Sequence, residues 1–299
     1  MRVFLTGATG FIGSRVLREF LAAGHEVVGL TRSQSGAAEL ARAGASAYLG
    51  ALEDPAGLAK GAENVDAVIH TAFDHEFSNF VANCEKDRRV VAALGFVLRG
   101  SDRPLLITSG VGIGDPGNGE PAREDVFDAH HFNPRIASEV AGQEQLAAGV
   151  NLGVVRLPQV HDTRKQGLIS PYIEMARGKG VVAYVGEGAN RWAAGHVADV
   201  AKLYVLALHR AEPGARYHAV GEEGVAARDI AETVAAGLGL PTVSLSEQEA
   251  KAHFDWFAMF AAADLTASST LTREKLGWQP AGPGLLQDLR DMDYSSRQG

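Results

Sequence analysis

The chain of 299 residues has a single cysteine, Cys84, so it cannot close an internal disulfide and suits a reducing compartment. No uninterrupted apolar run approaches the roughly 20 residues that cross a bilayer. The N-terminus enters an apolar segment with no basic stretch and no small-residue cleavage site before it. A cytoplasmic protein without a membrane partner is the expectation. Positive charge is in deficit, with 28 Lys and Arg against 36 Asp and Glu and a formal net charge of −8. That balance argues against a nucleic-acid scaffold. No ligand spacing for a metal stands out, and no internal repeat is visible. The chain is still long enough to bury a large core, as one big domain or two unequal ones.

Glycine, by contrast, is plentiful, and the first of it is placed with purpose. Residues 2–6 read Arg-Val-Phe-Leu-Thr, an apolar run that suits a buried parallel strand. Gly7-Ala8-Thr9-Gly10-Phe11-Ile12-Gly13 follows at once, then an amphipathic helical pattern over residues 14–23 and a second apolar strand over residues 26–30. Strand, glycine loop, helix and strand in this order make a dinucleotide-binding unit. Gly7 permits the tight turn and Gly10 lets the backbone approach a pyrophosphate. Gly13 lets the helix pack closely, and the helix start offers its free N–H groups to the phosphate charge.

These residues resemble those of the extended short-chain dehydrogenase/reductase superfamily, of the NAD-dependent epimerase/dehydratase type. The resemblance spans nearly the whole chain and is strongest in the N-terminal half. It implies an α/β fold, a Rossmann-type doubly wound parallel sheet with a smaller C-terminal substrate-binding lobe. The expected division is a dinucleotide-binding core over residues 1–160 and a mainly substrate-binding lobe over residues 161–299. Later segments near residues 193–220 are expected to pack back on the core.

At the end of the second strand, an enzyme selective for NAD usually carries an acid for the ribose 2′-hydroxyl. This chain has Arg32 and Ser33 there, suited to pair with and donate to a 2′-phosphate. The expected cofactor is NADP, with NAD open. Further cofactor contacts implied by the resemblance are Leu52 over the adenine, Thr71 and Ala72 after the fourth strand, and Leu157, Pro158 and Val160 beside the nicotinamide.

The pattern breaks at the catalytic residues. Relatives of this type use Ser or Thr with Tyr-x-x-x-Lys on one helix face, Tyr passing the proton and Lys holding the ribose. Ser109 or Thr108 can supply the hydroxyl. On the helix that follows the long polar loop of residues 110–132, the Tyr position holds Arg135 and the Lys position holds Glu139. Arg135 can bind a ribose or an anion but is a poor proton donor. His131, one turn earlier, is the candidate acid. Phe73, Asn190, Arg191 and Trp192 are candidates for the substrate cleft, the last three on a glycine-flanked loop. Phe254 and Phe257 read as core of the lobe.

Three classes therefore stay open. The first is an NADP-dependent oxidoreductase acting on a small carbonyl or alcohol. The second is an epimerase or dehydratase acting on a sugar nucleotide. The third is a redox sensor that binds NADP(H) without turnover. A small-molecule substrate is the expected partner, with a homodimer open.

Overall fold

Apolar strands alternating with amphipathic helices must bury both sheet faces, and the solution here is a parallel sheet between helix layers. The computed structural model describes residues 1–295. Its first half runs β1 (Arg2–Thr6), α1 (Phe11–Ala22), β2 (Glu26–Thr31), α2 (Gln34–Ala43), β3 (Ser46–Leu49), α3 (Pro55–Gly61), β4 (Ala67–His70), α4 (Phe80–Leu98) and β5 (Leu105–Gly110). There follow α5 (Ile136–Ala147), β6 (Leu152–Leu157), β7 (Gln159–His161), α6 (Ile169–Lys179), β8 (Val182–Val185), β9 (Arg191–His196), α7 (Val197–Arg210), β10 (Arg216–His218), β11 (Glu222–Ala226), α8 (Ala227–Leu238) and β12 (Thr242–Leu245). Short helices over residues 247–291 complete the described chain.

The central sheet has seven strands in the order β10-β6-β5-β4-β1-β2-β3, and every pairing in it is parallel. This is the Rossmann order 3-2-1-4-5-6 with one strand added at the β6 edge. β1 lies between β2 and β4, with Val3 opposite Val27 on one side and Ala67 on the other. That position explains why Val3, Phe4 and Leu5 are all fully buried and why the strand does not alternate. Each such side chain contributes roughly 1.5–3 kcal/mol by leaving water.

α4 runs unbroken through Gly95, which lies where α4 meets α5, so that a Cβ there would run into the Gln145 side chain. Glycine here serves close helix packing. The chain leaves the central sheet after β6. β7 pairs with β9 and β9 with β11 in a second small sheet, while β8 pairs with β12. α7 and β10 return to the first half, α7 packing its apolar face with α1 and β10 lying beside β6. No helix among the described residues is long and apolar enough to cross a membrane.

Candidate active site

The glycine loop is shaped by contacts that a side chain would destroy. Gly7 has φ +70°, and a Cβ on it would sit 2.8 Å from the Ala72 amide. A Cβ on Gly13 would overlap the Gly7 carbonyl, so the turn and α1 touch backbone to backbone. Gly10 N–H closes the turn onto Gly7 O at 2.8 Å and Gly10 caps α1 with no side chain over the helix end. The first-turn amides around Phe11 and Ile12 thus face outward, an arrangement suited to a pyrophosphate. Thr9 is exposed in the same loop. Thr71 Oγ1 donates to Thr6 O at 2.7 Å and Ala72 N–H to Thr6 Oγ1 at 3.2 Å, fastening the strand end after β4 beside the loop.

At the end of β2, Arg32 is exposed and has no hydrogen-bond or ion-pair partner among the described residues. Ser33 caps α2 by accepting from Gly36 N–H at 3.0 Å, and its hydroxyl also meets Ser35 Oγ at 3.0 Å. Arg32 thus precedes the capped start of α2 with no carboxylate hydrogen-bonded to it, although its charge acts on Asp74. Leu52 is half-buried beneath this end of the sheet.

Arg135 is held in place by a buried network. Its guanidinium pairs with Asp87 Oδ2 at 2.6 Å, donates to Thr108 O at 2.7 Å and to Ser138 Oγ, and lies 4.1 Å over the Phe73 ring. Asp87 also receives Ser138 Oγ at 2.5 Å and His70 Nε2 at 2.8 Å. Thr6 Oγ1, already accepting from Ala72, gives its own proton to His70 Nδ1 at 2.7 Å, which leaves the imidazole proton on Nε2, aimed at Asp87. Burial opposes the Asp87 charge. The Arg135 charge and the His70 and Ser138 hydrogen bonds outweigh it and hold the carboxyl well below the usual range. Sequence reading missed Asp87, because α4 is remote in sequence from the catalytic helix.

Glu139, at the Lys position, is equally committed. Arg156 grips it with two hydrogen bonds of 2.8 and 2.9 Å, Arg216 adds one at 3.0 Å, and both Glu139 and Arg156 are buried. Burial raises the Glu139 pKa, but the Arg156 bonds and charge and the Arg216 charge lower it further, to a net depression. Arg156 Nη1 also donates to His218 Nε2 at 3.3 Å, while His218 Nδ1–H donates to Ser268 O at 2.8 Å. Burial first and Arg156 second push this imidazole down to about 3.

The two hydroxyl candidates separate. Thr108 Oγ1 donates to His70 O at 2.7 Å and receives Tyr204 OH at 2.6 Å, so it has no hydrogen left for a substrate oxygen. Ser109 Oγ lies beside Glu139 without closing a well-shaped hydrogen bond, and stays unpartnered. His131 accepts from Asn133 N–H at 3.1 Å and stacks on Phe132, 4.7 Å away. Its ring thus braces the turn into α5. A different imidazole, which sequence reading passed over, stands near Arg135. His75 lies edge-on to Phe73 at 5.2 Å. Its pKa is lowered by desolvation first, then by the charges of Arg135 and Lys165. A polar segment without periodicity gave no sequence signal for it.

The expected substrate loop of residues 186–192 ends early, because β9 begins at Arg191. Asn190 gives its amide to Ala261 O and Ala263 O at 3.1 and 3.0 Å. Arg191 pairs outward with Asp264 at 2.9 Å. Trp192 is buried 5.8 Å from Phe257 and lines a small apolar cavity with Tyr172 and Phe254. Strand alternation turns Arg191 and Trp192 to opposite sides, and all three side chains serve the lobe's own packing. Phe254 and Phe257 lie in that core. Instead, Phe77 crosses from the first half to stack on Trp256 of the lobe, 4.6 Å apart and 6° from parallel. Leu157 is half-buried at the end of β6, Pro158 follows it, and Val160 is buried in β7.

Sequence and structure comparisons agree with this layout. The family model for the NAD dependent epimerase/dehydratase family matches residues 3–220. An uncharacterized protein of Schizosaccharomyces pombe is 43% identical over 295 residues, 98% of this chain and 100% of its own length. A 2-alkyl-3-oxoalkanoate reductase of Stenotrophomonas maltophilia is 28% identical over 261 residues, 81% of this chain and 77% of its own. The UDP-glucose 4-epimerase of Thermus thermophilus, solved in complex with NAD, superposes with a TM-score of 0.73 at 22% identity, covering 98% of each chain, and so shares the fold. The matched segment covers well over half of the chain and contains the glycine cradle and most of the central sheet, and this chain belongs to the NAD dependent epimerase/dehydratase family.

Proposed function

We propose that the protein is an NADP-dependent oxidoreductase that interconverts a small alcohol and its carbonyl compound. The observation that carries the cofactor choice is the unpartnered Arg32 at the end of β2, beside the capped start of α2, with no acid to hold a 2′-hydroxyl. The glycine cradle fits the pyrophosphate, since its close backbone contacts leave room for no side chain. When bound, the dinucleotide would supply a hydride donor or acceptor. Gly7, Gly10 and Gly13 would hold the pyrophosphate, and Arg32 with Ser33 the 2′-phosphate. Ser109 would steady the substrate oxygen. Arg135, with its charge balanced by Asp87, would shape the floor of the pocket under Phe73. The likeness to a 2-alkyl-3-oxoalkanoate reductase supports carbonyl chemistry.

Two parallel calorimetric titrations, NADPH against NADH, test the cofactor half. Tighter NADPH binding is expected, and equal affinities reject it. Following NADPH absorbance across a panel of aldehydes and ketones tests the redox half.

A second reading has its own observation. The Tyr and Lys positions hold Arg135 and Glu139, and both are locked in ion pairs. That arrangement favours a protein that binds NADP(H) and signals its redox state without turnover. NADPH binding with no oxidation across the panel would select it. The sugar-nucleotide epimerase alternative rests on sequence likeness to the UDP-glucose 4-epimerase of Streptomyces lividans, 27% identical over 316 residues, and predicts conversion of a sugar nucleotide with no net change in cofactor.

A further inference from the structure

We propose that the His75 imidazole takes the hydroxyl proton of an aryl-substituted alcohol bound at the C-terminal end of β4, against the aromatic cluster of Phe73, Phe77 and Trp256. The proposal rests on the oxidoreductase reading above. His75 belongs to the segment that leaves the C-terminal end of β4, the edge of an open α/β sheet at which ligands collect. Its ring meets Phe73 edge-on at 5.2 Å and lies 6.0 Å from Phe77. The same Phe73 ring carries the Arg135 guanidinium, and Phe77 reaches the lobe through Trp256. The two halves of the molecule thus meet around this imidazole.

Each of three other imidazoles has at least one nitrogen engaged within the fold. His70 bonds Thr6 and Asp87, His131 bonds Asn133 N–H, and His161 is buried against Asp288 at 2.7 Å. His75 is exposed, although protein atoms crowd round it, and it makes no hydrogen bond with the described residues. Both its nitrogens are open to a ligand.

The charges around it set the direction. Desolvation disfavours the imidazolium most, and Arg135 from the start of α5 and Lys165 from the loop after β7 add to it. Asp74 on its own segment and Asp87 on α4 oppose them with less effect. A ring neutral at pH 7 is a base, so alcohol oxidation is the direction it serves there. The O–H bond breaks with its proton going to His75. The carbinol C–H bond breaks with its electron pair, leaving as hydride to an oxidised nicotinamide dinucleotide, and the C=O bond forms. In reverse, protonated His75 returns the proton. The cluster of Phe73, Phe77 and Trp256 gives His75 an aromatic border, which suits an aryl group next to the carbinol carbon.

The test uses 1-phenylethanol and acetophenone as probes, with the unaltered protein and His75→Gln. NADPH fluorescence titration should give both proteins similar affinities. In the unaltered protein, the His75 imidazole resonance should titrate below 6.5 and should move when acetophenone is added to the NADPH complex. Oxidation of 1-phenylethanol should fall on the order of 10²–10⁴-fold in His75→Gln. The decline of kcat/KM toward acid pH, present in the unaltered protein, should vanish in the variant. The role of His75 is overturned, with the cofactor reading intact, if its resonance ignores acetophenone. The same follows if the unaltered protein does not oxidise 1-phenylethanol, or if His75→Gln keeps both rate and acid decline. Absence of NADPH binding in the unaltered protein overturns both.

Discussion

Arg135 and Asp87, 48 residues apart, form an ion pair largely out of water, with the guanidinium 2.6 Å from the carboxylate and 4.1 Å over the Phe73 ring. The pair stands where the resemblance led sequence reading to expect a tyrosine. It ties the start of α5 to α4 and, through His70 and Thr6, to the ends of β4 and β1. The cation there is neutralised by a carboxylate from another helix.

Removing one charge of a buried pair costs more than the pair contributes, because the other is left uncompensated. Asp87→Asn should therefore lower stability by about 3 kcal/mol or more, read from urea unfolding at pH 7. Because folding depresses the Asp87 pKa, its contribution is complete above the ordinary carboxylate value of 3.8 and fades as pH falls below it. A variant as stable as its parent would show that the ion pair is not closed in solution.

His218 works in a higher pH range. Folding keeps it neutral down to about 3, whereas the unfolded chain protonates near 6.5. The unfolded state thus binds the extra proton, and stability present above 6.5 is lost as pH falls toward 3. Unfolding free energy should drop on the order of 1–2 kcal/mol between pH 7 and pH 5 from this group. His218→Asn should flatten that slope; an unchanged slope would assign the acid sensitivity elsewhere.

Arg32 offers a test confined to the cofactor. Arg32→Ala should weaken NADPH binding about tenfold or more while leaving NADH binding nearly alone, given roughly 1.5–3 kcal/mol for a hydrogen bond to a charged group. Arg32→Asp should go further and favour NADH, since a carboxylate accepts the 2′-hydroxyl and repels a phosphate. A proportional loss for both dinucleotides would place Arg32 outside the phosphate site.

Two glycines should respond in opposite ways. Gly13→Ala would drive a methyl into the Gly7 carbonyl and should cost about 1–3 kcal/mol or more, with loss of NADPH binding. Gly178, in α6, has nothing within 4 Å of a new Cβ. Gly178→Ala should stabilise by up to about 1 kcal/mol through helix propensity. Thermal melts of both variants decide the matter, and equal shifts would contradict the packing described.

Much of this molecule could be read from the order of its residues. The glycine loop, its flanking strand and helix, and the arginine after β2 are local features. Each depends on neighbours within about a turn or on the chain's own periodicity. The break in the catalytic pattern was equally legible, because Arg135 and Glu139 lie at helical spacing after a recognisable loop. The fates of those residues were not. Asp87 meets Arg135 across 48 residues and Arg156 meets Glu139 across 17, and no local pattern encodes such pairings. Trp192 was placed on a loop, but pairing with β11 made it part of a strand, and alternation turned it inward. His131 gives Nδ1 to the turn into α5, while His75, in a stretch without periodicity, makes no hydrogen bond among the described residues. Local chemistry is set by the sequence. Which charges neutralise one another, and which imidazole stays open, depends on helices and lobes meeting, because only burial makes an unpaired polar group costly enough to choose its partner.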